Sequence, residues 1–543
     1  MKTYRDILKW GDKREFEIDE GTKQLIKEKL GLKDEEFKIK YLSGNDEIKL
    51  KKASSISKEI LKEISNIVGK ENISIDDESR AIHSYGKSYP ELLKMRKGIF
   101  NTPPDAVVFP RNDEDIVQIL KICNHHKIAI TPFGGQSSVT RGVETPNGGI
   151  SLDLTKYMNQ IIDVNETNST ATVQAGIFGP AYEEYLNNYG AKYTCGHFPQ
   201  SFEYSTVGGW VAAKGAGQAS TAYGKIEDMV LSLKVISPSG IIKTKTYPAS
   251  AQGWDLYQTF IGSEGTLGII TEVTLKIRKY RPENTKYASF IFKNFAEAVN
   301  AMRTIMQSGA GLPHLFRISD PEETQVAFTT KGFNGSFADK FLHFKGYKAE
   351  ERCLMFAAVE GEKSYTNQVI SSIKKIAKQN GAFSLGAKPT KKWLQQRYSS
   401  AYMREPMMDL GIMTDTLETA VMWEDLLSLW EAVRKYLKSR SKTVVMVHIS
   451  HVYENGANLY FTFLSPMQKE KELEEYQEYH HGIIETIIAN KGSLSHHHGV
   501  GKTLGPWMEK ELGKESILLM KAVKKHLDPN GIMNPGITLG LMD

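Results

Sequence analysis

The stretch KGSLSHHHGVGK, residues 491–502, sets three imidazoles, His496, His497 and His498, directly before a Gly-x-Gly turn. Imidazole titrates near neutrality, so such a run can take a proton from carbon or from a hydroxyl. In an extended backbone His496 and His497 would point to opposite faces. An isolated histidine pair is ordinarily structural; a run of three before glycines favours chemistry. Tyr460, in NGANLYFTF, alternates with Thr462 against Phe461 and Phe463. That spacing predicts a strand whose more polar face lines a cavity, with a sheet-packing tyrosine as the alternative. Two arginines stand out, Arg404 in SSAYMREPM and Arg317 in HLFRISD. A guanidinium fork gives paired, charge-assisted bonds to a phosphate. For Arg317, an ion pair with Asp320 is the structural alternative.

A second chemical element is KIAITPFGGQSSVTRG, residues 127–142. Ile128, Ile130 and Phe133 predict a strand that empties near Pro132 into Gly134-Gly135 and two hydroxyls, Ser137 and Ser138. Successive N–H groups in such a turn form a nest for an anion, and diphosphate is the natural guest. The segment 197–220, HFPQSFEYSTVGGWVAAKGAGQAS, is dense in small residues. There the backbone must approach something large and flat, or another backbone.

The surrounding elements must position these groups. ISKEILKEISNIV (56–68) predicts a packing helix with Ile56, Ile60, Ile64 and Val68 on one face, or a membrane-surface segment flanked by Lys52, Lys58 and Lys62. DAVVFP (105–110) predicts a strand, followed by a helix with Asn112 as cap and Asp115 as its capping-box partner. Segments 148–155, 159–165 and 170–177 predict further strands, and GPAYEEYLNNYG a helix stopped by Gly190. LSLKVISPSGIIKT (231–244) predicts a hairpin, WDLYQTF (254–260) a helix, and 262–278 a glycine-punctuated loop feeding a long strand. No G-x-G-x-x-G leads into a helix, which excludes a Rossmann reading.

The chain has 543 residues, 40% hydrophobic and 24% charged, with a net charge of +5. Several domains and a large core follow, and a dedicated nucleic-acid binder does not. The cysteines Cys123, Cys195 and Cys353 fit no CxxC pattern, which predicts a reducing compartment. MKTYRDILKWGDKREF lacks a signal-type apolar core, no run approaches the ~20 apolar residues of a spanning helix, and Leu541-Met542-Asp543 is not a peroxisomal tripeptide. A cytoplasmic protein is expected, with a membrane surface as a permitted partner.

PFGGQSS (132–138), STVGGWVAAKGAGQ (205–218) and GSEGTLGIITEVTLKIR (262–278), in this order, resemble the FAD domain of the vanillyl-alcohol-oxidase / para-cresol-methylhydroxylase (PCMH) superfamily. LDPNGIMNPG (527–536) resembles its closing segment. Within it, residues 197–210, 223–242 and 491–502 resemble the alkyldihydroxyacetonephosphate synthase family. The resemblance implies an α+β fold: a helical N-terminal region (1–100), a two-part PCMH-type FAD-binding domain (101–280), a cap domain (281–500) and a returning segment (501–543). It implies FAD contacts from Phe133, Gly134, Gly135, Gln136, Ser137, Ser138 and Val139. The 200–206 turn would add Gln200, Ser201, Phe202, Glu203, Tyr204, Ser205 and Thr206, and the next loop Ala216, Gly217, Gln218 and Ala219. Gly262, Ser263, Glu264, Gly265, Thr266, Leu267 and Gly268 complete the set.

Gln136 replaces a glycine usual in the diphosphate loop, and its β-carbon disfavours positive φ. A histidine often stands there in relatives that attach FAD covalently, so non-covalent FAD is expected. Gln200 stands where an acid is frequent. The resemblance further implies Arg404 on the substrate phosphate, Tyr460 as acid/base at the leaving group, the histidine run deprotonating substrate carbon 1, and Arg317 as a second essential arginine. The implied enzyme exchanges the acyl chain of acyl-dihydroxyacetone phosphate for a long-chain fatty alcohol through a flavin N5 adduct, without net oxidation, as a homodimer. SFADKFLHFKGYK (336–348), interleaving Phe and Lys, is a candidate docking or gating segment, or a solvated loop. The alternative is an FAD-dependent 2-hydroxyacid (D-lactate or glycolate-like) dehydrogenase. Many of those carry divalent-metal patterns resembling H-x-G-D-G-N-x-H and E-H-G-x-G. Here Tyr460 and His497 replace an imidazole and a carboxylate, so that metal site is not expected; His448, His451 and His497 are the residues left to form another.

Overall fold

The protein is described from a computed structural model covering residues 2–10, 16–38 and 40–538. The terminal tripeptide and part of the N-terminal segment discussed above lie outside the described residues. Strands β1 (Ile73–Ser74), β2 (Ala106–Val108), β3 (Ile130–Phe133) and β4 (Ile150–Asp153) form a sheet in the order β1-β2-β4-β3, with β2 and β3 both parallel to β4. Such parallel strands must be buried, and Val108, Ile130, Ile150 and Leu152 are fully enclosed. The helix Asp113–His126 covers them with Ile116, Ile119 and Cys123. Asn112 caps it by accepting from the Asp115 N–H at 3.0 Å. The reciprocal half of the capping box does not form, because the Asp115 carboxylate is taken by Arg111.

A second sheet is antiparallel throughout: β5 (Ile161–Asn165), β6 (Thr170–Gln174), β7 (Val230–Ser237), β8 (Gly240–Lys243) and β9 (Ile269–Lys276), in the order β5-β6-β9-β7-β8. It shares one apolar core with the first. That core also takes Ile64 and Val68 of the helix Lys58–Val68, with Ile56 and Ile60 packed at its margin. The helix's apolar face is therefore spent on packing, and the membrane-surface alternative for it is withdrawn. WDLYQTF makes only a short 3₁₀ turn, Leu256–Thr259. With Trp254 and Leu256 more than half exposed, no apolar face is buried to sustain a longer helix.

The third sheet has seven strands: β10 (Lys286–Phe292), β11 (Leu315–Ser319), β12 (Cys353–Val359), β13 (Phe383–Gly386), β14 (Ile412–Met422), β15 (Val444–Ile449) and β16 (Gly456–Pro466). Their order is β13-β10-β12-β11-β15-β16-β14. Period-two alternation divides its faces. Phe461 and Phe463 join a core with the helices Phe295–Met306, Leu426–Leu437 and Glu472–Ala489, while Tyr460 and Thr462 face a cavity. The chain then returns to the first sheet: Ile130 N–H donates to Ile532 O at 2.8 Å, and Asn534 N–H to Ile130 O at 2.8 Å. Among the described residues no helix is long and apolar enough to cross a membrane. All three cysteines are buried and free.

Candidate active site

One cavity of about 640 Å³ runs between the glycine loops and the seven-stranded sheet. Its first wall is the loop after β3. The N–H groups of Gly134, Gly135, Gln136, Ser137 and Ser138 find no acceptor among the described residues, yet all five residues line the cavity. Such a row of free N–H groups has the chemistry of an anion nest. Gly134 and Gly135 are required by crowding. A β-carbon at Gly134 would sit 2.6 Å from Thr206 Oγ1, and one at Gly135 would overlap the Tyr204 carbonyl. Gln136 does adopt positive φ, at 59°. Its side-chain amide donates to Ile82 O at 2.7 Å and Tyr85 O at 3.1 Å, and these bonds hold the conformation that its β-carbon disfavours.

The remaining expected FAD residues divide. Val139, Gln200, Ser201, Ser205, Thr206, Ala216, Gln218, Glu264, Gly265 and Gly268 line the cavity; Phe202, Gly217, Ala219, Ser263, Thr266 and Leu267 are buried or packed behind it. Phe133 also lines it, whereas Glu203 and Tyr204 bond Tyr402 and Gly262 lies against Lys214. Gln200 bridges to the other wall, donating to Arg397 O at 2.9 Å and Ser400 Oγ at 3.1 Å. Glu264, whose carboxyl burial pushes above its usual range, receives the N–H groups of Val500 and Gly501 and the Thr538 hydroxyl. It thus secures the turn that follows the histidines.

The second wall is one rung of the sheet. Ser319 of β11 pairs with His448 of β15, His448 with Tyr460 of β16, and Tyr460 with Glu418 of β14. His448 and Tyr460 stack with ring centroids 4.6 Å apart. Burial raises the Tyr460 phenol above its ordinary value. The histidine turn packs onto this rung. His497 and His498 lie with centroids 5.9 and 5.5 Å from the Tyr460 ring, and both line the cavity. Burial pushes the His498 imidazole down to about 3, so it is neutral with a free lone pair, and its protonated form is disfavoured.

His496 is set back: its Nε2 is 2.5 Å from Tyr453 Oη and its Nδ1 2.9 Å from His497 Nδ1. The turn is not extended, so His496 and His497 do not point apart. The Glu418 carboxylate gathers the backbone N–H groups of His496, His497 and His498 and curls it. Nor does the structure group His448 with His451 and His497. His448 is held by Glu323 at 3.0 Å, and His451, His496 and His497 are the three whose ring nitrogens lie within 4.8 Å of one another. Hydrogen bonds occupy that trio, with Ser220 Oγ 2.7 Å from His451 Nδ1.

Arg404 opens the helix Arg404–Asp409, donates to Lys87 O, and lies 3.2 Å from both Asp415 Oδ1 and Thr416 Oγ1. Arg317 lines the cavity beside Trp393 but does not pair with Asp320. Asp320 caps the helix Pro321–Thr330 and is neutralised by Arg434 at 2.6 Å, leaving Glu323, one turn on, to bind Arg317 at 2.5 Å. His197 was not singled out from sequence. It is buried on the cavity wall beside Trp210, and neither ring nitrogen has a hydrogen-bond partner among the described residues. Its place at the head of the HFPQSFEYS motif was the available signal. Glu418 and Glu323 were also missed, because a lone carboxylate within an alternating strand or a helix's first turn reads as a solvated residue.

Comparison with known proteins shows the family. The FAD binding domain family matches residues 104–245, and the C-terminal domain of FAD linked oxidases matches residues 281–537. Alkyldihydroxyacetonephosphate synthase from Trypanosoma brucei brucei is 33% identical over 92% of this chain and 84% of its own. The mitochondrial D-lactate dehydrogenase [cytochrome] of Arabidopsis thaliana is 30% identical over 89% of this chain and 80% of its own. A solved structure of alkyldihydroxyacetonephosphate synthase superposes with a TM-score of 0.83 at 29% identity, over 98% of each chain. At that identity and coverage, the chain belongs to the alkyldihydroxyacetonephosphate synthase family of enzymes, with FAD as its cofactor.

Proposed function

We propose that the protein makes an ether lipid precursor, exchanging the acyl chain of acyl-dihydroxyacetone phosphate for a long-chain fatty alcohol. The products are alkyl-dihydroxyacetone phosphate and a fatty acid. The observation that carries this reading is the convergence of Arg404, Tyr460, His497 and His498 on one cavity that also contains the diphosphate nest.

Each side chain has a task its chemistry suits. Arg404, held by Lys87 O, Asp415 and Thr416, binds and orients the substrate phosphate. His498, neutral in its buried setting, takes the proton from carbon 1, with His497 beside it. The Tyr460 hydroxyl, kept protonated by burial, serves as the acid toward the leaving carboxylate and as the base toward the incoming alcohol. Bound FAD supplies an electron-accepting ring, so electrons can enter and leave within one cycle and no external acceptor is needed. The apolar tails of both substrates call for a membrane surface as partner, and the assembly is proposed to be a homodimer.

The test is incubation with palmitoyl-dihydroxyacetone phosphate and labelled hexadecanol, without oxygen or an added acceptor. One-to-one formation of labelled alkyl-dihydroxyacetone phosphate and palmitate is expected. No ether from a preparation containing FAD would overturn the reading. A hydroxyacid panel with a dye acceptor would then test the dehydrogenase alternative, which the likeness to D-lactate dehydrogenase favours. Stoichiometric zinc or manganese on His451, His496 and His497 would strengthen that alternative.

A further inference from the structure

We propose that Glu418 is a positioning residue for the proton-transfer step: its buried carboxylate shapes the Ser495–His498 turn and presents His497 and His498 to the substrate beside Tyr460. This inference rests on the base role proposed above for the histidines.

Glu418 is 3% exposed, on the strand position paired with Tyr460. Its Oε1 accepts the Ser495 hydroxyl at 2.7 Å, the His497 N–H at 3.2 Å and the His498 N–H at 3.0 Å. Its Oε2 accepts the His496 N–H at 2.6 Å. Four donors from four consecutive residues converge on one carboxylate. An ionised carboxylate is the side chain that can accept at both oxygens without offering a hydrogen of its own. His497 Nδ1 lies 3.4 Å from Glu418 Oε2 and 2.9 Å from His496 Nδ1. The Glu418 carboxylate can only accept, so facing it His497 Nδ1 carries the hydrogen, which leaves the lone pair on Nε2. Burial alone would raise the Glu418 carboxyl, but the histidines around it, His497 first and then His498 and His496, together hold the group well below the usual carboxylate range.

Glu418→Gln keeps the shape but turns one acceptor into an –NH₂ facing a backbone donor. Ser495→Ala removes one of the four bonds and leaves the charge. His497→Ala and His498→Ala test the base reading itself. For each variant, kcat and KM with palmitoyl-dihydroxyacetone phosphate are measured beside deuterium incorporation at substrate carbon 1 in D₂O, FAD content and Tm. Glu418→Gln is expected to keep its FAD and a KM within about threefold, while kcat and deuterium incorporation fall together by about 100-fold or more. Ser495→Ala should lose between about twofold and tenfold in both. The proposal is overturned if Glu418→Gln incorporates deuterium at the native rate, or if its loss of activity merely tracks loss of FAD and Tm. Should Glu418→Gln not fold, native deuterium incorporation in Ser495→Ala overturns it instead. If both histidine variants retain incorporation, the base reading falls, and this inference with it. If they lose it and Glu418→Gln does not, the positioning role alone is wrong.

Discussion

Arg404 Nη2 lies 3.2 Å from Asp415 Oδ1, and the second oxygen of that carboxylate accepts the Tyr476 hydroxyl at 3.0 Å. The guanidinium is thus fixed by a buried acid that is itself fixed. Arg404→Lys keeps a charge but loses the fork, and KM for the phosphorylated substrate should rise about tenfold. Arg404→Ala also strands Asp415 and should raise it about 100-fold. Unchanged KM values in both variants, measured with palmitoyl-dihydroxyacetone phosphate, would place the phosphate elsewhere.

Tyr460→Phe removes one hydroxyl from a ring whose stacking on His448 and His497 stays in place. The expected outcome is a kcat lower by about 10²–10⁴ with native FAD content and Tm. Loss of FAD alongside activity would instead make Tyr460 a packing residue.

Much of this arrangement was legible in the sequence. Glycines announce their own crowding, so the close approach of the loop after β3 to Thr206 and Tyr204 could be read from Gly134-Gly135. Alternation announced the two faces of β16, and a run of imidazoles announced itself. Pairings between distant residues could not be read. Asp320 is nearer to Arg317 in sequence than Glu323 is, but the helix cap turns it toward Arg434 on another helix. The sequence left the conformation of His496–His498 open because Glu418, which bends it, comes about eighty residues earlier. The positive φ of Gln136 depends on carbonyls of Ile82 and Tyr85, in a region whose sequence shows only helix propensity.

Stability should depend on acid. Burial lowers His197 and His498 to about 3, and His314, His448 and His480 to about 4. For these groups the folded value lies below the unfolded one, so the unfolded chain binds more protons between roughly pH 4 and 6.5. Their stabilising contribution is present above pH 6.5 and is lost as pH falls. Glu323, held at about 2 although burial opposes it, adds a further loss below about pH 4.5. Urea midpoints should decrease steadily from pH 7 to 5, with about two or more protons taken up on unfolding. A flat profile would mean that these imidazoles are not buried as described.

FAD is expected to be held without a covalent bond. Gln136, at the loop position where attachment is frequent in relatives, spends its amide on Ile82 and Tyr85. Acid precipitation should leave a colourless pellet and a yellow supernatant. Colour that stays with the denatured protein would show a covalent link at some other side chain.

Residues 336–348 contain a helix, Phe337–Phe344, rather than a solvated loop. Phe337 and Phe344 are 87% and 84% exposed, an apolar display that the described residues leave uncovered. Within the helix Leu342 is the buried residue, in a cluster with Ile291 and Tyr347 against which Phe328 and Phe333 pack. Buried Arg352, 2.7 Å from Asp339, ties the helix down. Lys331, which lines the cavity, precedes the helix by six residues. Lys340, Lys345 and Lys348 add the positive charge that an anionic bilayer attracts. Reversing all three charges to Glu should cut flotation with phosphatidylserine-containing vesicles by about tenfold or more at low salt, while exchange of detergent-dispersed substrate continues. Flotation that does not change would remove this helix from membrane docking and leave its exposed rings without a function.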